Sequence, residues 1–118
     1  MNKDELKIIL KDHKLWIEGN GGERADLRHA DLRYADLRYA DLMGANLDYS
    51  VITLSCKDLG IHIDDKLAIQ RLYHTLYNVA YSKNVSNELK EKLLTKELVE
   101  IANKFHKIGE CDEIKAYK

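Results

Sequence analysis

The chain has 118 residues, which sets the scale at one domain, or one domain with a small appendage, around a modest core. Its 19 Lys and Arg stand against 20 Asp and Glu, a net charge of −1, and neither sign collects in any segment. That balance excludes a bulk electrostatic affinity for nucleic acid or an anionic membrane surface, and no apolar run approaches the roughly 18 residues of a membrane span.

Three segments follow one another: 1–22, 23–55 and 56–118. In the first, "DELKIILKDH" places Leu6, Ile9, Leu10 and His13 at helical spacing with lysines between them, the pattern of a short amphipathic helix. "KLWIEGNGG" then leads onward, and Gly19, Gly21 and Gly22 break any regular element. The N-terminal stretch alternates charge with isolated apolar residues and has no signal-peptide h-region, so a cytoplasmic location with Cys56 and Cys111 as reduced thiols is expected.

The second segment repeats itself. Written in fives from Ala25 it reads ADLRH, ADLRY, ADLRY, ADLMG, ANLDY, SVITL. The central residues are Leu27, Leu32, Leu37, Leu42, Leu47 and Ile52, each preceded by two positions by a small residue: Ala25, Ala30, Ala35, Ala40, Ala45 and Ser50. Five is neither a helical nor a strand period. It fits a backbone that turns a corner every five residues, with the central residue and the small residue pointing inward and the other three outward. Twenty residues then close one coil, and the next stacks on it at about 4.8 Å.

This pattern resembles the pentapeptide repeat family, whose motif is A(D/N)LXX. The lead-in "HKLWIEGNGGERADL" is similar to the N-terminal stretch of small pentapeptide repeat proteins of phages and prophages. The resemblance implies an α+β fold: a short right-handed quadrilateral β-helix, capped by an N-terminal helix and a C-terminal helical unit. So few coils leave apolar rungs and unpaired backbone at each end, which is why caps are expected. It also implies a non-enzymatic protein-binding role. The expected partner is a bacterial nucleic-acid-processing or defence complex, inhibited by steric blocking in the anti-CRISPR manner.

In the third segment the period becomes helical. Asp64 or Asp65 is a candidate N-cap, and Ala68, Ile69, Leu72, Leu76, Val79 and Ala80 form one apolar face. "NVSN" breaks that helix and Ser86 is the next candidate N-cap. Leu89 and Leu93 begin a face that Leu94, Leu98, Ile101, Ala102 and Phe105 continue slightly rotated. Residues 86–108 therefore read as one helix, or as two with the second starting at Thr95, and Gly109 marks the end.

The candidate partner-binding residues are Arg28, Arg33, Tyr34, Arg38, Tyr39 and Tyr49 on the repeat, and Tyr73, Tyr77 and Tyr81 at i, i+4, i+8 on the first C-terminal helix. The arginines fall on successive sides, so they do not form one stripe, and pairing with neighbouring aspartates is their simplest role. Some pentapeptide repeat proteins are taken to mimic duplex DNA and bind gyrase. Here one and a half coils make a rod under about 10 Å, and arginines nearly cancel Asp26, Asp31, Asp36 and Asp41. Those aspartates and Asn46 are better placed to bond corner backbone groups. Cys56, His62, His106 and Cys111 lack the spacing of a structural zinc site, so no metal or cofactor is expected. Neither a phosphate loop nor a GxSxG or HExxH motif occurs. The alternatives are a structural or assembly module that homodimerises, and a DNA-mimic-type topoisomerase binder or direct nucleic-acid binder.

Overall fold

The computed structural model describes residues 1–52 and 54–117; Thr53, in the sixth five-residue unit, and Lys118, at the end of the helical segment, lie outside them. The chain divides into two compact units, Met1–Asp64 and Asp65–Lys118.

The first unit opens with α1, Lys3–Ile17. Asn2 caps it: its side-chain oxygen accepts the Glu5 N–H at 2.8 Å. Asp4 and Glu5 lie in the first turn, where the helix dipole favours anions. Leu6 and His13, seven residues apart, are the two buried side chains of this helix. After it the chain doubles back tightly. At Gly22 an added Cβ would sit 2.3 Å from the Asp12 carbonyl oxygen, so only glycine permits this approach.

The repeat follows. Leu27, Leu32 and Leu37 are each 1% exposed and Leu42 is fully buried. Ala25, Ala30 and Ala45 are buried beside them, while Ala35, Ala40, Leu47, Ser50 and Ile52 are half-buried. A backbone bond closes a turn after each central leucine. Ala30 N–H donates to Leu27 C=O, Ala35 to Leu32, Ala40 to Leu37, Ala45 to Leu42 and Ser50 to Leu47, all at 3.0–3.2 Å. The turns follow one another so closely that regular strands are minimal: β1 is Asp31–Leu32 and β2 is Val51–Ile52.

The chain returns alongside itself after twenty residues. β1 and β2 pair in parallel with Asp31 opposite Val51, and a parallel bridge sets Asp26 opposite Asn46. Leu27 N–H donates to Asn46 C=O at 2.8 Å and Val51 N–H to Ala30 C=O at 2.9 Å. The pairing outlasts the motif: Leu37 N–H donates to Lys57 C=O at 2.7 Å, and His62 N–H to Ala40 C=O at 2.8 Å. There Asp41 faces His62, twenty-one residues away, so one extra residue has entered the chain after Ile52. A single 3-10 turn, Cys56–Asp58, lies in this last stretch. Four helices, not strands, make up most of the regular structure of the described residues.

One side chain ties α1 to the repeat. His13 is fully buried, its Nε2 lies 2.8 Å from the Met43 carbonyl oxygen, and its Nδ1 accepts the Ala25 N–H at 2.9 Å. A carbonyl can only accept and an N–H can only donate, so the ring is the neutral Nε2–H tautomer. Trp16 stacks on His13, ring centroids 5.4 Å apart, and lies against Gly44.

The second unit is helical: α2 Asp65–Tyr81, α3 Asn87–Leu93 and α4 Lys96–Ala102. The stretch 86–108 holds two helices because two hydroxyls cap it: Ser86 Oγ accepts Leu89 N–H at 3.1 Å, and Thr95 Oγ1 accepts Leu98 N–H at 3.2 Å. The last helix stops at Ala102, well before Gly109, with Asn103 as its C-cap. Its core is Tyr73, Leu76, Leu94, Val99, Ala102, Phe105 and Ile114. Asn103 clamps the tail, donating to Ile114 C=O and accepting its N–H, both at 2.9 Å.

Replacing His13 by Ala leaves a buried backbone donor and acceptor without their partner and opens a cavity. We expect a loss of roughly 3 kcal/mol, measured by chemical denaturation through Trp16, the single tryptophan. His13→Gln, which offers one donor and one acceptor, should recover part of it. A loss indistinguishable from zero would mean that α1 is held by something else.

Candidate functional site

The aspartates of the repeat set its corners. In each of three units Asp Oδ1 accepts the N–H two residues on: Asp26 from Arg28, Asp31 from Arg33 and Asp36 from Arg38, all at 3.2 Å. Asp41 does the same for Met43 at 3.3 Å and Asn46 for Asp48 at 3.1 Å. The same three aspartates grip the arginine side chains. Arg28 donates Nε and Nη2 to Asp26 at 2.9 and 2.8 Å, Arg33 to Asp31 at 2.9 and 2.7 Å, and Arg38 to Asp36 at 3.0 and 2.7 Å. The arginine fork first, and then the arginine backbone N–H, hold all three carboxyls down to about 2. Each guanidinium thus spends its Nε–Nη2 edge on its own aspartate, and its charge is matched within its own unit.

The fifth residues of the units project from the corners. His29, Tyr39 and Tyr49 have φ of 60°, 61° and 62°, and Gly44 has 77°, the sign that the third residue of a type II turn requires. All four meet the neighbouring turn or helix. His29 stacks on Tyr49 with centroids 5.0 Å apart, the Tyr39 ring covers Gly60, and Trp16 covers Gly44. Tyr34 differs: it keeps an ordinary φ, is 88% exposed, and has the Arg33 guanidinium 5.9 Å from its ring centroid.

A groove of about 920 Å³ opens beside Tyr34 and Tyr39, between α1 and the sides that carry β1 and Asp36. The half-buried Leu10 and Ala35 and the rings of Tyr34 and Tyr39 supply its apolar surface, over the buried Leu6 and Leu32, and Lys3, Lys7, Arg38 and Lys57 supply its positive charge. Volume and lining suit a binding cleft. Sequence reasoning misses the lysines. Lys3 and Lys7 read as the solvated face of a helix, and Lys57 reaches the groove only because the chain returns there.

The candidate residues are distributed unevenly. Tyr34, Tyr39 and Arg38 line the groove, with Arg33 on the Tyr34 ring. Arg28 and Tyr49 are exposed but do not line it. On α2 the row runs inward: Tyr81 is 57% exposed, Tyr77 half-buried and Tyr73 only 3% exposed. Tyr73 is therefore no surface anchor. It stacks on Phe105 at 4.6 Å, its hydroxyl donates to the Asp112 carbonyl at 2.6 Å, and burial raises that hydroxyl's pKa. Cys56 and Cys111 are free and exposed, and no cluster of three metal-ligating side chains occurs among the described residues. None of the helices described is long and apolar enough to cross a membrane.

Residues 23–50 match the family described as Pentapeptide repeats (8 copies). The match spans the units with Asp–Arg corners and ends before β2. No curated protein and no solved structure matches the chain. Pentapeptide repeats generally mediate protein interactions.

Two outcomes test the site's geometry. The folded chain holds Asp26, Asp31 and Asp36 ionised down to about 2, against an ordinary 3.8. Their pairs therefore stabilise fully above the ordinary value, and the contribution is lost as pH falls through about 2. Carboxyl NMR titration should give midpoints near 2 for all three, and Arg33→Gln should return Asp31 alone towards 3.8. Gly60→Ala should cost about 1–3 kcal/mol, because its φ is +73° and a Cβ would meet the Tyr39 ring at 2.7 Å. Unchanged stability would mean that neither the left-handed backbone nor the Tyr39 contact constrains this position.

Proposed function

We propose that this protein is a non-enzymatic binder of a partner protein, and that the groove flanked by Tyr34 and Tyr39 is its contact. The observation that carries the reading is Tyr34, a tyrosine 88% exposed at the lip of a cleft with apolar walls. Tyrosine is a preferred anchor of protein interfaces because it adds large contact area with little entropy to lose. The pentapeptide match supports the same class of role.

Residues 25–62 are read in this proposal as a short right-handed quadrilateral β-helix. Support comes from the turns closing every five residues and the backbone bonds between residues twenty apart. Such a body is stiff, so a docked partner meets a preformed surface. The finer reading is a phage-type inhibitor of a host nucleic-acid enzyme, of the anti-CRISPR kind, acting by steric blocking. It rests on the resemblance of residues 13–27 to the lead-in of small phage pentapeptide repeat proteins.

A second reading has its own observation. Val51, Leu54 and Leu59, late in the first unit, are 49%, 98% and 60% exposed, apolar surface for a second copy to cover. That reading makes the protein a homodimerising assembly module.

Affinity capture from bacterial lysate with tagged protein, in parallel with Tyr34→Ala, decides between them. The expected result is a stoichiometric protein that survives a high-salt wash and is lost with Tyr34→Ala. Adding the chain to that purified partner should then block its nucleic-acid binding. Recovery of the chain alone, with a dimer mass in solution that falls on Leu54→Lys, would replace the binder reading with the assembly one.

A further inference from the structure

The charge of the groove says what its occupant carries. Four cationic side chains, Lys3, Lys7, Arg38 and Lys57, line it against two carboxylates, Asp31 and Asp36. Both carboxylates are already held by bidentate arginines, Arg33 and Arg38. Lys3 and Lys7 hold neither an ion pair nor a side-chain hydrogen bond among the described residues. They stand four residues apart on α1 and so share one wall. Lys57 enters from the returning chain. Two lysines on one side and one on the other therefore frame a floor of Leu10 and Ala35, with Leu6 and Leu32 buried beneath it.

We propose that the groove takes an acidic peptide segment with apolar anchors, presented by the partner protein. This rests on the protein-binding reading above and names the chemistry of the partner. Carboxylates of the segment meet Lys3, Lys7 and Lys57, while its apolar side chains cover the floor and pack against Tyr34. The floor favours a peptide over a nucleic acid, since Leu and Ala side chains give a sugar–phosphate chain nothing to bond. Arg33 and Arg38 already have their charge matched by Asp31 and Asp36, which weakens their pull on a phosphate. Lysines, by contrast, are mobile point charges suited to carboxylates whose spacing is set by a peptide backbone.

The test is fluorescence anisotropy on the full chain with three probes. One is a short labelled peptide alternating glutamate with leucine and phenylalanine; the second replaces each glutamate by lysine; the third is oligothymidine. The glutamate peptide should bind, more weakly as salt rises, and the other two should not. The double variant Lys3→Glu, Lys7→Glu should weaken that binding on the order of ten-fold. Lys104→Glu, an exposed lysine of the second unit, should leave it unchanged. Circular dichroism and Trp16 fluorescence serve as fold controls for these surface changes. Failure of the glutamate peptide to bind, equal binding of the lysine peptide, preference for oligothymidine, or indifference to the double variant would each overturn the proposal. Partner capture separates the two readings. If Tyr34→Ala abolishes capture and the lysine reversals do not, the protein-binding reading stands and the acidic-segment assignment falls.

Discussion

Everything in the first unit depends on the backbone finding itself again after twenty residues. A turn after each central leucine is cheap only if its inner face is filled and its corner bonds are made. The four leucines from Leu27 to Leu42 fill the inside, each 1% exposed or less. The aspartates complete the corners by accepting the backbone N–H two residues on. Neither device would hold a lone turn. The bonds between residues twenty apart join one turn to the next, and a buried histidine joins α1 to the whole through two backbone groups.

The arginines illustrate how a surface feature can mislead about binding. Three of them at one motif position invite a phosphate or DNA reading. The bidentate grip of Asp26, Asp31 and Asp36 matches their charge within their own units while they stay at the surface. What remains available is the set of lysines with no such partner, and these come from outside the repeat. Charge that is already matched rigidifies the corner, whereas unmatched charge at the cleft can select a ligand.

Much of this was legible from residue spacing, and the remainder was not, for definite reasons. The period of five marks Leu27, Leu32, Leu37 and Leu42, and the acidic residue before each reads as a corner acceptor. Ser86 and Thr95 announce two helix starts through their hydroxyls. His13 could be seen only as one more residue on a helical face, because its partners are backbone groups of residues 25 and 43. Tyr73 looked like part of a surface row, because its hydroxyl's acceptor is a carbonyl thirty-nine residues away. The pairing of residues 56–62 was hidden: Asp58 stands where the returning turn would carry leucine, and the extra residue breaks the count of five. The groove itself joins residues 1–10 to 31–39 and 57, a juxtaposition that no local pattern encodes.

The twenty-residue return has a consequence for how such a gene can change length. Removing or adding one codon between Ala25 and Ser50 would slide every later leucine off the inward position and every aspartate off its corner. Whole units of five move the corners together, and blocks of twenty restore every vertical neighbour as well. Lengthening and shortening by such blocks is therefore the path of least disruption. The odd residue between Ile52 and Lys57 sits where only one further turn has to absorb it, at the edge of the region in which the count is enforced.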